Sequence, residues 1–260
     1  MKKAIITLLA ASALVASAFA QTTLKVGATP EPHAEILNLI KGDLAAQGVD
    51  LQVIEFTDYV TPNETLNAGD IDANYFQHLP YLESFNKERK FTLKSVAGIH
   101  IEPIALYSQK VSNIADLKTK AKIAVPNDPT NEGRAFLLLQ AAGLITLKDG
   151  AGLEATKKSI ASNPKKFQFV EVEAASVPRV LKDVDAAVIN GNYAIPAGLS
   201  ATRDGLFVEG SESPYVNVLA VKEGRENDEA IQALVKALQS EKVKAWVAEK
   251  YPDGEVVTVF

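Results

Sequence analysis

Apolar residues along this chain change repeatedly between the spacing of a strand and that of a helix. Residues 24–28 and 50–56 alternate between apolar and polar side chains, as strands of a half-buried sheet do. Between them, Ile36, Ile40 and Leu44 recur at helical spacing and form one apolar stripe. The same exchange of patterns continues almost to the end of the chain. Strands interleaved with helices indicate an α/β fold with largely parallel sheets.

Two long extended segments, around residues 96–108 and 213–223, interrupt this pattern. The chain is long for one simple sheet, but its length suits two lobes of ~100–130 residues each. We therefore predict that the chain crosses between two lobes twice. The predicted division places residues 21–105 and 220–260 in the first lobe and residues 106–219 in the second.

The C-terminal region predicts a single long amphipathic helix. Apolar residues, among them Ile231, Leu238 and Trp246, form its stripe, and the pattern extends from about Asp228 to Tyr251.

Residues 1–20 have the layout of a secretory signal peptide. A basic start precedes an apolar run, and Ala18-Phe19-Ala20 gives the small-x-small pattern of a cleavage site. The apolar run is shorter than the roughly 20 residues that a membrane-spanning helix needs. We therefore expect an exported protein, located in the periplasm of a two-membrane bacterium or secreted.

Charge and cysteine content narrow the possible partners. Removing residues 1–20 takes away two of the 27 basic residues and none of the 32 acidic ones, which leaves a net charge of −7. This acidic balance argues against nucleic acid or anionic lipid as a partner. The chain contains no cysteine, which excludes thiolate metal sites and a cysteine nucleophile. It also provides no cysteine for a lipid anchor, so we expect the mature protein to diffuse freely.

Enzyme and metal signatures are weak in this sequence. The motifs of serine hydrolases, zinc proteases, P-loop enzymes and dinucleotide-binding enzymes are absent. An exported hydrolase remains an alternative, although no serine has the context of a nucleophile. The three histidines, His33, His78 and His100, lie on separate predicted elements and could converge on a metal ion. A metal-capture receptor that uses them is therefore a second alternative.

The stretch NYFQHLPYL, residues 74–82, concentrates aromatic side chains around one histidine. If it begins as a strand, Phe76 and His78 share one face and Tyr75 points to the other, with Tyr81 one helical turn beyond. Such a cluster is often a piece of core. It also leads from the end of a strand into the start of a helix, where open α/β sheets place their ligands. The residues alone are compatible both with a piece of core and with a ligand-binding wall.

A second candidate begins where a predicted strand ends at Val125. Asp128 is placed to cap the following helix, and the amides of a helix start favour an anion. Arg134 lies about a turn and a half into that helix, so its guanidinium fork could bind a carboxylate in the same region. The alternative is that Arg134 pairs with a nearby acidic residue.

Two asparagines stand at predicted strand ends. Asn190 closes the apolar strand AAVIN, and Asn217 lies in the segment SPYVNVLAV. A buried amide needs a hydrogen-bond partner, which a ligand or the neighbouring backbone could provide. Taken together with Arg134 and Phe76, these residues suggest a site for a free amino acid with an apolar side chain. Its carboxylate would bind Arg134 and Asn190, and its ammonium group would bind Asn217.

Four blocks of the sequence resemble the methionine-binding NlpA family, the substrate-binding components of methionine-type ABC importers. The blocks are GDIDANYFQHLPYL, KIAVPNDPTNEGRAFLLLQAAGLITLKDG, VINGNYA and ESPYVNVLAVKE. The resemblance runs from about Leu24 to the last helix. It implies a type II-like periplasmic binding protein with two α/β lobes, two crossing segments and a ligand in the cleft between the lobes.

The resemblance also implies partners and a set of site residues. The ligand would be methionine, in either enantiomer or as a dipeptide, or another amino acid, and the closed protein would deliver it to a membrane permease with its ATPase. The protein would be a non-enzymatic monomer without a cofactor or metal. The implied ligand-binding residues are Tyr59, Phe76, His78, Tyr81, Arg134, Asn190 and Asn217. Family members commonly carry a lipid-modified cysteine after the signal, which this chain lacks.

Overall fold

The computed structural model describes residues 21–210 and 213–260; the predicted signal peptide, residues 1–20, lies outside them. The strands are β1 (Thr22–Ala28), β2 (Val49–Glu55), β3 (Ala73–His78), β4 (Leu93–Ile101), β5 (Ala105–Tyr107), β6 (Lys122–Pro126), β7 (Thr146–Leu147), β8 (Ile160–Ser162), β9 (Gln168–Val172), β10 (Ala186–Ile189), β11 (Gly205–Val208), β12 (Asn217–Lys222) and β13 (Val257–Thr258). The α-helices are α1 (Glu35–Ala45), α2 (Thr61–Ala68), α3 (Leu79–Arg89), α4 (Pro129–Ala141), α5 (Val177–Val180), α6 (Gly191–Ala194), α7 (Ala201–Asp204), α8 (Glu229–Leu238) and α9 (Glu241–Lys250). Within these described residues, no helix is long and apolar enough to cross a membrane.

The first lobe is built on a six-stranded sheet in the order β13-β4-β12-β3-β1-β2. Strand β1 is parallel to β2 and β3, whereas β12 returns antiparallel between β3 and β4. Helices α1, α8 and α9 pack on this sheet and form its main core. The stripe predicted on α1 is confirmed, because Ile36, Ile40 and Leu44 are fully buried there.

The second lobe is built on a five-stranded sheet in the order β11-β5-β10-β6-β9. Strand β6 is parallel to β9 and β10, and β5 is antiparallel to β10 and β11. Hydrophobic clusters cover both faces, one containing α4 and the other containing α5. The interleaved pattern of the sequence therefore does produce a two-lobed α/β fold.

The chain passes from the first sheet to the second between β4 and β5, and returns between β11 and β12. The two passages lie side by side, because the main-chain N–H of Glu209 donates to the carbonyl of Ile104 at 2.9 Å. The predicted division of the chain at residues 105 and 219 stays a prediction.

The single C-terminal helix predicted from Asp228 to Tyr251 is wrong. Helix α8 ends at Leu238 and α9 begins at Glu241. Ser240 between them has an extended backbone, and its hydroxyl accepts a hydrogen bond from the N–H of Val243, which makes it the N-cap of α9. The apolar stripe continues across this break because both helices pack on the same core.

Candidate functional site

A cavity of about 320 Å³ lies between the two sheets, where β3, β10 and the loop before α4 end and where β12 begins. Its wall contains all seven residues predicted to bind ligand: Tyr59, Phe76, His78, Tyr81, Arg134, Asn190 and Asn217. It also contains five that the sequence did not indicate: Gln77, Glu102, Asn131, Gly191 and Asn192. The structure thus brings the predicted residues together, while their contact with a ligand stays a prediction.

One side of the cavity is aromatic. The rings of Tyr59, Phe76 and Tyr81 lie within 6.2 Å of one another, centroid to centroid, in tilted and edge-on arrangements. The hydroxyl of Tyr81 donates to the main-chain carbonyl of Tyr59 at 2.8 Å, and the hydroxyl of Tyr59 donates to Asn192 Oδ1, so each of these two rings is held by a hydrogen bond. This wall offers an apolar surface with little rotational freedom.

Where strand β3 approaches the cavity, its pairing with β12 shifts register. Tyr75 follows the predicted alternation: it points away from Phe76, is fully buried in the core and contacts His100 through its hydroxyl. Gln77, predicted to share the face of Tyr75, instead lines the cavity beside Phe76 and His78. The reason is a bulge, because Val218 pairs with Gln77 and Leu219 already pairs with Tyr75.

His78 has its tautomer set by its neighbours. Its Nδ1 accepts a hydrogen bond from the N–H of Tyr81 and caps α3, so Nε2 carries the proton and donates to Asn131 Oδ1 at 3.1 Å. Burial, together with the positive charge of Arg134, lowers the pKa of His78 to about 3. The imidazole is therefore neutral at physiological pH and joins the first lobe to the second by a hydrogen bond.

Asn131, Asn190 and Asn192 form an asparagine cluster on the second lobe. Asn131 Oδ1 accepts from Asn190 Nδ2 at 2.7 Å as well as from His78, and Asn131 Nδ2 donates to both carboxylate oxygens of Asp128. Asn131 was missed because the third residue of a helix is normally an unremarkable polar position. Only its burial, with 1% of its surface exposed, distinguishes it.

Asp128 caps α4 as predicted, since its Oδ1 accepts from the N–H of Asn131 at 3.0 Å. Burial raises the pKa of this carboxyl group, while its hydrogen bonds to Asn131 and Thr130 act in the opposite direction. The carboxylate occupies the start of α4, so the helix N-terminus predicted to attract a ligand anion already has an internal acceptor.

The guanidinium fork predicted to bind a ligand carboxylate is already engaged. Arg134 Nε donates to Glu209 Oε1 at 2.9 Å and Nη2 donates to Glu209 Oε2, so the pairing alternative is what the structure contains. Nη2 also donates to the main-chain carbonyl of Glu102, and the ring of Tyr215 lies 4.3 Å from the guanidinium carbon. Burial alone would lower the pKa of Arg134, but Glu209 raises it overall, so the group stays charged.

Arg134 nevertheless keeps one face towards the cavity. Among the described residues, Nη1 has no hydrogen-bond partner, although the side chain is 4% exposed and lines the cavity. The pair with Glu209 therefore orients the guanidinium, and contact between Nη1 and a ligand stays a prediction.

A histidine network, defined as Thr29, His33, Tyr75, His100 and Glu102, lies behind the cavity in the first lobe. The hydroxyl of Thr29 lies 2.8 Å from Nδ1 of His33, and the hydroxyl of Tyr75 lies 2.5 Å from Nδ1 of His100, so both pairs are hydrogen-bonded. Its Nε2 atoms face acceptors, because that of His100 lies 2.7 Å from Glu102 Oε1 and that of His33 lies 3.1 Å from Asn217 Oδ1. Burial lowers the pKa of His33 to about 4 and that of His100 to about 3.

The three-histidine metal site held as an alternative is not formed by the described residues. His33, His100 and Glu102 bring their ligand atoms within 4.8 Å of one another, but His78 is not in this group and bonds Asn131 instead. The hydrogen bonds of the histidine network already account for both ring nitrogens of His33 and of His100. Asn217 belongs to the same arrangement through His33, so the oxygen of its amide is satisfied by a side chain rather than by backbone.

Glu102 supplies a carboxyl group to the cavity wall. It follows β4, is 4% exposed and lies against Gly191, where a Cβ added to the glycine would come within 2.9 Å of Glu102 Oε2. Burial raises the pKa of Glu102, while the charges of His33 and Arg134 and the N–H of Asn192 lower it. In the sequence, only its position after a predicted strand distinguishes it from other acidic residues.

Several hydrogen bonds join the lobes directly around the cavity. Tyr59 donates to Asn192 Oδ1 at 2.5 Å, Tyr193 donates to the carbonyl of Thr57 at 3.1 Å, and Ser84 donates to Glu154 at 2.8 Å. Together with the bond from His78 to Asn131, they hold the cleft closed.

Comparison with known proteins gives a family match over nearly all of the described chain. The model of the NlpA lipoprotein family matches residues 24–260. Membrane lipoprotein TpN32 of Treponema pallidum is 47% identical over 234 residues, which cover 90% of this chain and 87% of that protein. D-methionine-binding lipoprotein MetQ of Escherichia coli is 48% identical over 211 residues, which cover 80% of this chain and 78% of that protein.

A solved structure adds a ligand-bound neighbour. A nutrient-binding protein of Burkholderia cenocepacia, whose structure was determined with methionine bound, superposes with a TM-score of 0.88 at 46% identity. The alignment covers 91% of this chain and all of that one.

Proposed function

Because this chain belongs to the NlpA lipoprotein family, we propose that it captures a single amino acid, methionine, and delivers it to an ABC importer. The family resemblance found in the sequence blocks is thereby confirmed. Relatives in the family are named as methionine-binding lipoproteins and as periplasmic substrate-binding proteins of ABC transporters. An extracytoplasmic location accords with those relatives.

The observation that carries the proposal is that a guanidinium group and a carboxyl group line one small cavity. Arg134 and Glu102 both line it, and each is nearly buried. A free amino acid presents one positive and one negative group on adjacent atoms, so it complements this pair. A charged ligand group that meets a buried partner interacts strongly with it, because little solvent screens the pair.

The proposed orientation follows from donors and acceptors. The ligand carboxylate lies on the second-lobe side, where Arg134 Nη1 is a charged donor. The ammonium group lies between Glu102 and Asn217 Oδ1, which are both acceptors. The side chain lies against the aromatic wall of Tyr59, Phe76 and Tyr81, where a thioether makes favourable contacts with ring edges.

The volume of the cavity favours a single amino acid over a peptide. Its space of about 320 Å³ includes open solvent, so the enclosed part is smaller still and leaves little room for a second amino-acid residue. We therefore propose free methionine rather than a methionine dipeptide as the ligand.

Closure requires that the ligand contact both lobes, because only a difference in affinity between open and closed forms shifts the equilibrium. The aromatic wall belongs to the first lobe and Arg134 to the second, so the proposed ligand bridges them. The hydrogen bonds between lobes then complete a hinge closure.

We also propose the remaining features of the receptor. It acts as a monomer without catalytic activity and docks in its closed form on a permease with its ATPase. Its lobes comprise residues 21–105 with 220–260, and residues 106–219. Export to the periplasm without a lipid anchor stays a prediction, which mass spectrometry of the protein recovered from cells would test.

The test is calorimetry and thermal unfolding of the purified protein after bound ligand has been removed by denaturation and refolding. The probes are L-methionine, D-methionine, a methionine dipeptide, the other amino acids and zinc. A ligand at a thousandfold its dissociation constant is expected to stabilise the protein by about 4 kcal/mol. We expect a methionine enantiomer to give the largest shift; binding of zinc alone, or of no amino acid, would overturn the proposal.

A further inference from the structure

The net charge of the chain after residue 20 is divided unevenly between the two lobes. Residues 21–105 together with 220–260 contain 12 basic and 20 acidic residues, whereas residues 106–219 contain 13 basic and 12 acidic residues. The negative charge that argued against an anionic partner therefore comes from the first lobe. The second lobe is free to present a basic surface of its own.

Seven of the ten lysines of the second lobe lie in three segments that meet at one end of its sheet: residues 108–122, 163–168 and 182–185. The main-chain N–H of Lys120 donates to the carbonyl of Lys165 at 2.7 Å, and that of Asp185 donates to the carbonyl of Lys122 at 2.9 Å. Strands β6, β9 and β10 begin at this end, and β6 and β10 lead from it towards the cavity. The lysines therefore lie at the end of the second lobe that faces away from the cleft.

We call this surface the lysine pole and define it by its lysines: Lys110, Lys118, Lys120, Lys122, Lys165, Lys166 and Lys182. All of them are exposed except Lys165, which is half-buried. The same three segments contain only three acidic residues, Asp116, Asp183 and Asp185. The pole therefore has an excess of four positive charges.

Part of the pole is engaged in building it. Lys165 Nζ donates to the carbonyls of Ala115 and Leu117, both at 2.8 Å, and so joins two of the segments. Lys110 Nζ pairs with Asp185 at 3.1 Å. Within the described part of the chain, the exposed ammonium groups of Lys118, Lys120 and Lys166 form no ion pair. These three are available to a partner.

The backbone gives a second, independent observation on the same lysines. Lys120 has φ 65° and Lys166 has φ 55°, both in the left-handed region. Glycine or asparagine occupies this region at a lower cost than lysine does. Residues kept in such conformations cluster at functional surfaces. The presence of lysine at both turns therefore favours a role for the charge itself.

We propose that the lysine pole docks the protein on an anionic lipid surface, where its ammonium groups meet the phosphodiester headgroups. The chemistry of the pole favours this partner over a protein or a nucleic acid. Protein interfaces are depleted in lysine and enriched in arginine and aromatic residues, and single-stranded nucleic acids are bound by stacking on aromatic rings. The three segments contain no arginine, and their one aromatic residue, Phe167, is buried. Hydrated point charges on turns suit a fluid, anionic surface without a fixed shape.

The acidic first lobe does not cancel this attraction at physiological salt. Strand β6 has five residues, so at about 3.3 Å per residue it separates the pole from the cavity by roughly 13 Å. The Debye length in physiological salt is about 8 Å, and the first lobe lies beyond the cavity. Its repulsion is therefore largely screened, and the pole acts locally. Docking through this end leaves the cavity uncovered, so it is independent of ligand binding.

The experiment measures co-sedimentation of the purified protein with vesicles of phosphatidylglycerol and phosphatidylcholine in equal parts, and with vesicles of phosphatidylcholine alone. The pole variant is Lys118→Gln/Lys120→Gln/Lys166→Gln, and a second variant replaces the same three lysines with arginine. The matched control is Lys41→Gln/Lys90→Gln/Lys236→Gln on the first lobe. It has the same net charge as the pole variant, its three lysines are exposed, and Lys90 is also left-handed, with φ 59°.

We expect binding to the anionic vesicles at about 0.1 M salt and release at about 1 M, where the Debye length falls to about 3 Å. Each lysine near an anionic bilayer contributes about fivefold, so the pole variant should bind about 100-fold more weakly. The control should bind within threefold of the unaltered protein, and the arginine variant should retain binding.

Four results would each overturn the proposal: no binding by the unaltered protein, equal binding to phosphatidylcholine vesicles, retained binding by the pole variant, or an equal loss in the control. Displacement from the vesicles by inorganic phosphate would indicate a site for a single anion, and displacement by polyglutamate at about 0.1 M salt would indicate an acidic protein as partner; both outcomes contradict docking on lipid. Thermal unfolding of each variant establishes that it is folded, and the arginine variant tests the role of charge without removing any.

Discussion

The histidine network and the asparagine cluster border the same cavity and differ in how completely their polar atoms are paired. In the network, both ring nitrogens of His33 and of His100 have partners. In the cluster, Asn192 Nδ2 has none among the described residues. A network that satisfies itself stabilises one conformation, whereas an unpaired donor in a cavity leaves a position for a ligand. We therefore interpret the imidazoles of the network as scaffold and the asparagine cluster as recognition surface.

The two regions also differ in their response to pH. The network contains two imidazoles and a carboxylate, all buried, so its protonation is tied to folding. The cluster consists of amides, which do not titrate. Changes that act on the network should therefore alter stability, and changes on the cluster side should alter affinity.

The largest expected effect is the loss of stability in acid. The pKa values of His33, His78 and His100 lie at about 4, 3 and 3, below their ordinary value of 6.5, so the unfolded chain binds more protons as the pH falls. Their contribution is complete above about pH 6.5 and decreases towards pH 3–4, by roughly 1.4 kcal/mol per histidine and pH unit. Glu102 and Asp128, whose pKa values are raised by burial, oppose this decrease.

We expect the free energy of unfolding in urea to fall by about 3 kcal/mol between pH 7 and pH 5.5. His78→Asn, which keeps an N-cap for α3, should reduce that fall by about a third. A free energy of unfolding that does not change over this range would show that these histidines are not neutral in the folded protein.

The next largest effect is expected from Arg134→Ala, on the side of the asparagine cluster. The variant removes the charged donor Nη1 and leaves Glu209 without its partner, so ligand affinity should fall more than 100-fold. Calorimetry with methionine measures it. Arg203→Ala is the matched control, because Arg203 is exposed and pairs with its neighbour Asp204. If Arg134→Ala binds methionine within threefold of the unaltered protein, the carboxylate does not lie at Arg134.

The smallest effect is expected from Tyr75→Phe, within the histidine network. Loss of the hydroxyl that bonds His100 Nδ1 should lower the free energy of unfolding by about 1–2 kcal/mol and change ligand affinity by less than threefold. Tyr107→Phe is the control, because the buried hydroxyl of Tyr107 has no partner among the described residues, so its removal should cost little. A large loss of affinity in Tyr75→Phe without a loss of stability would break the distinction between scaffold and recognition surface.

Local patterns predicted the individual elements well, because each depends on neighbouring residues. The stripe of Ile36, Ile40 and Leu44 required only helical periodicity, and the cap at Asp128 required only a preference of helix starts. The break at Ser240 was missed because the apolar stripe continues through it, and a serine is not a strong stop signal by itself. The main strands and helices were therefore predictable, while the break at Ser240, the gap between β4 and β5 and several short elements such as β7, β8 and β11 were not.

The candidate site was predictable as a set of residues but not as a set of contacts. Aromatic, basic and amide residues at strand ends, together with the family resemblance, indicated the seven residues that line the cavity. Glu102 and Asn192 carried no such signal, since a single acid or amide after a strand is common on protein surfaces. Only the structure distinguishes Glu102 and Asn192, because both are buried and because it shows which hydrogen-bond partners each of them has or lacks.

The sequence by itself determined the order of strands and helices, the chemistry of the seven candidate residues and the family, because these reside in local spacing and in residue type. The tertiary structure alone decided which polar atoms have a hydrogen-bond partner within the protein and which do not. It placed Glu209 against the fork of Arg134 across 75 positions of sequence. It introduced the bulge in β3 that accompanies the hydrogen bonds of the Gln77 amide to Asn63 and Asn74, and it left Asn192 Nδ2 without a partner among the described residues. Hydrogen bonds between distant residues depend on how the lobes close, and no local pattern encodes that arrangement.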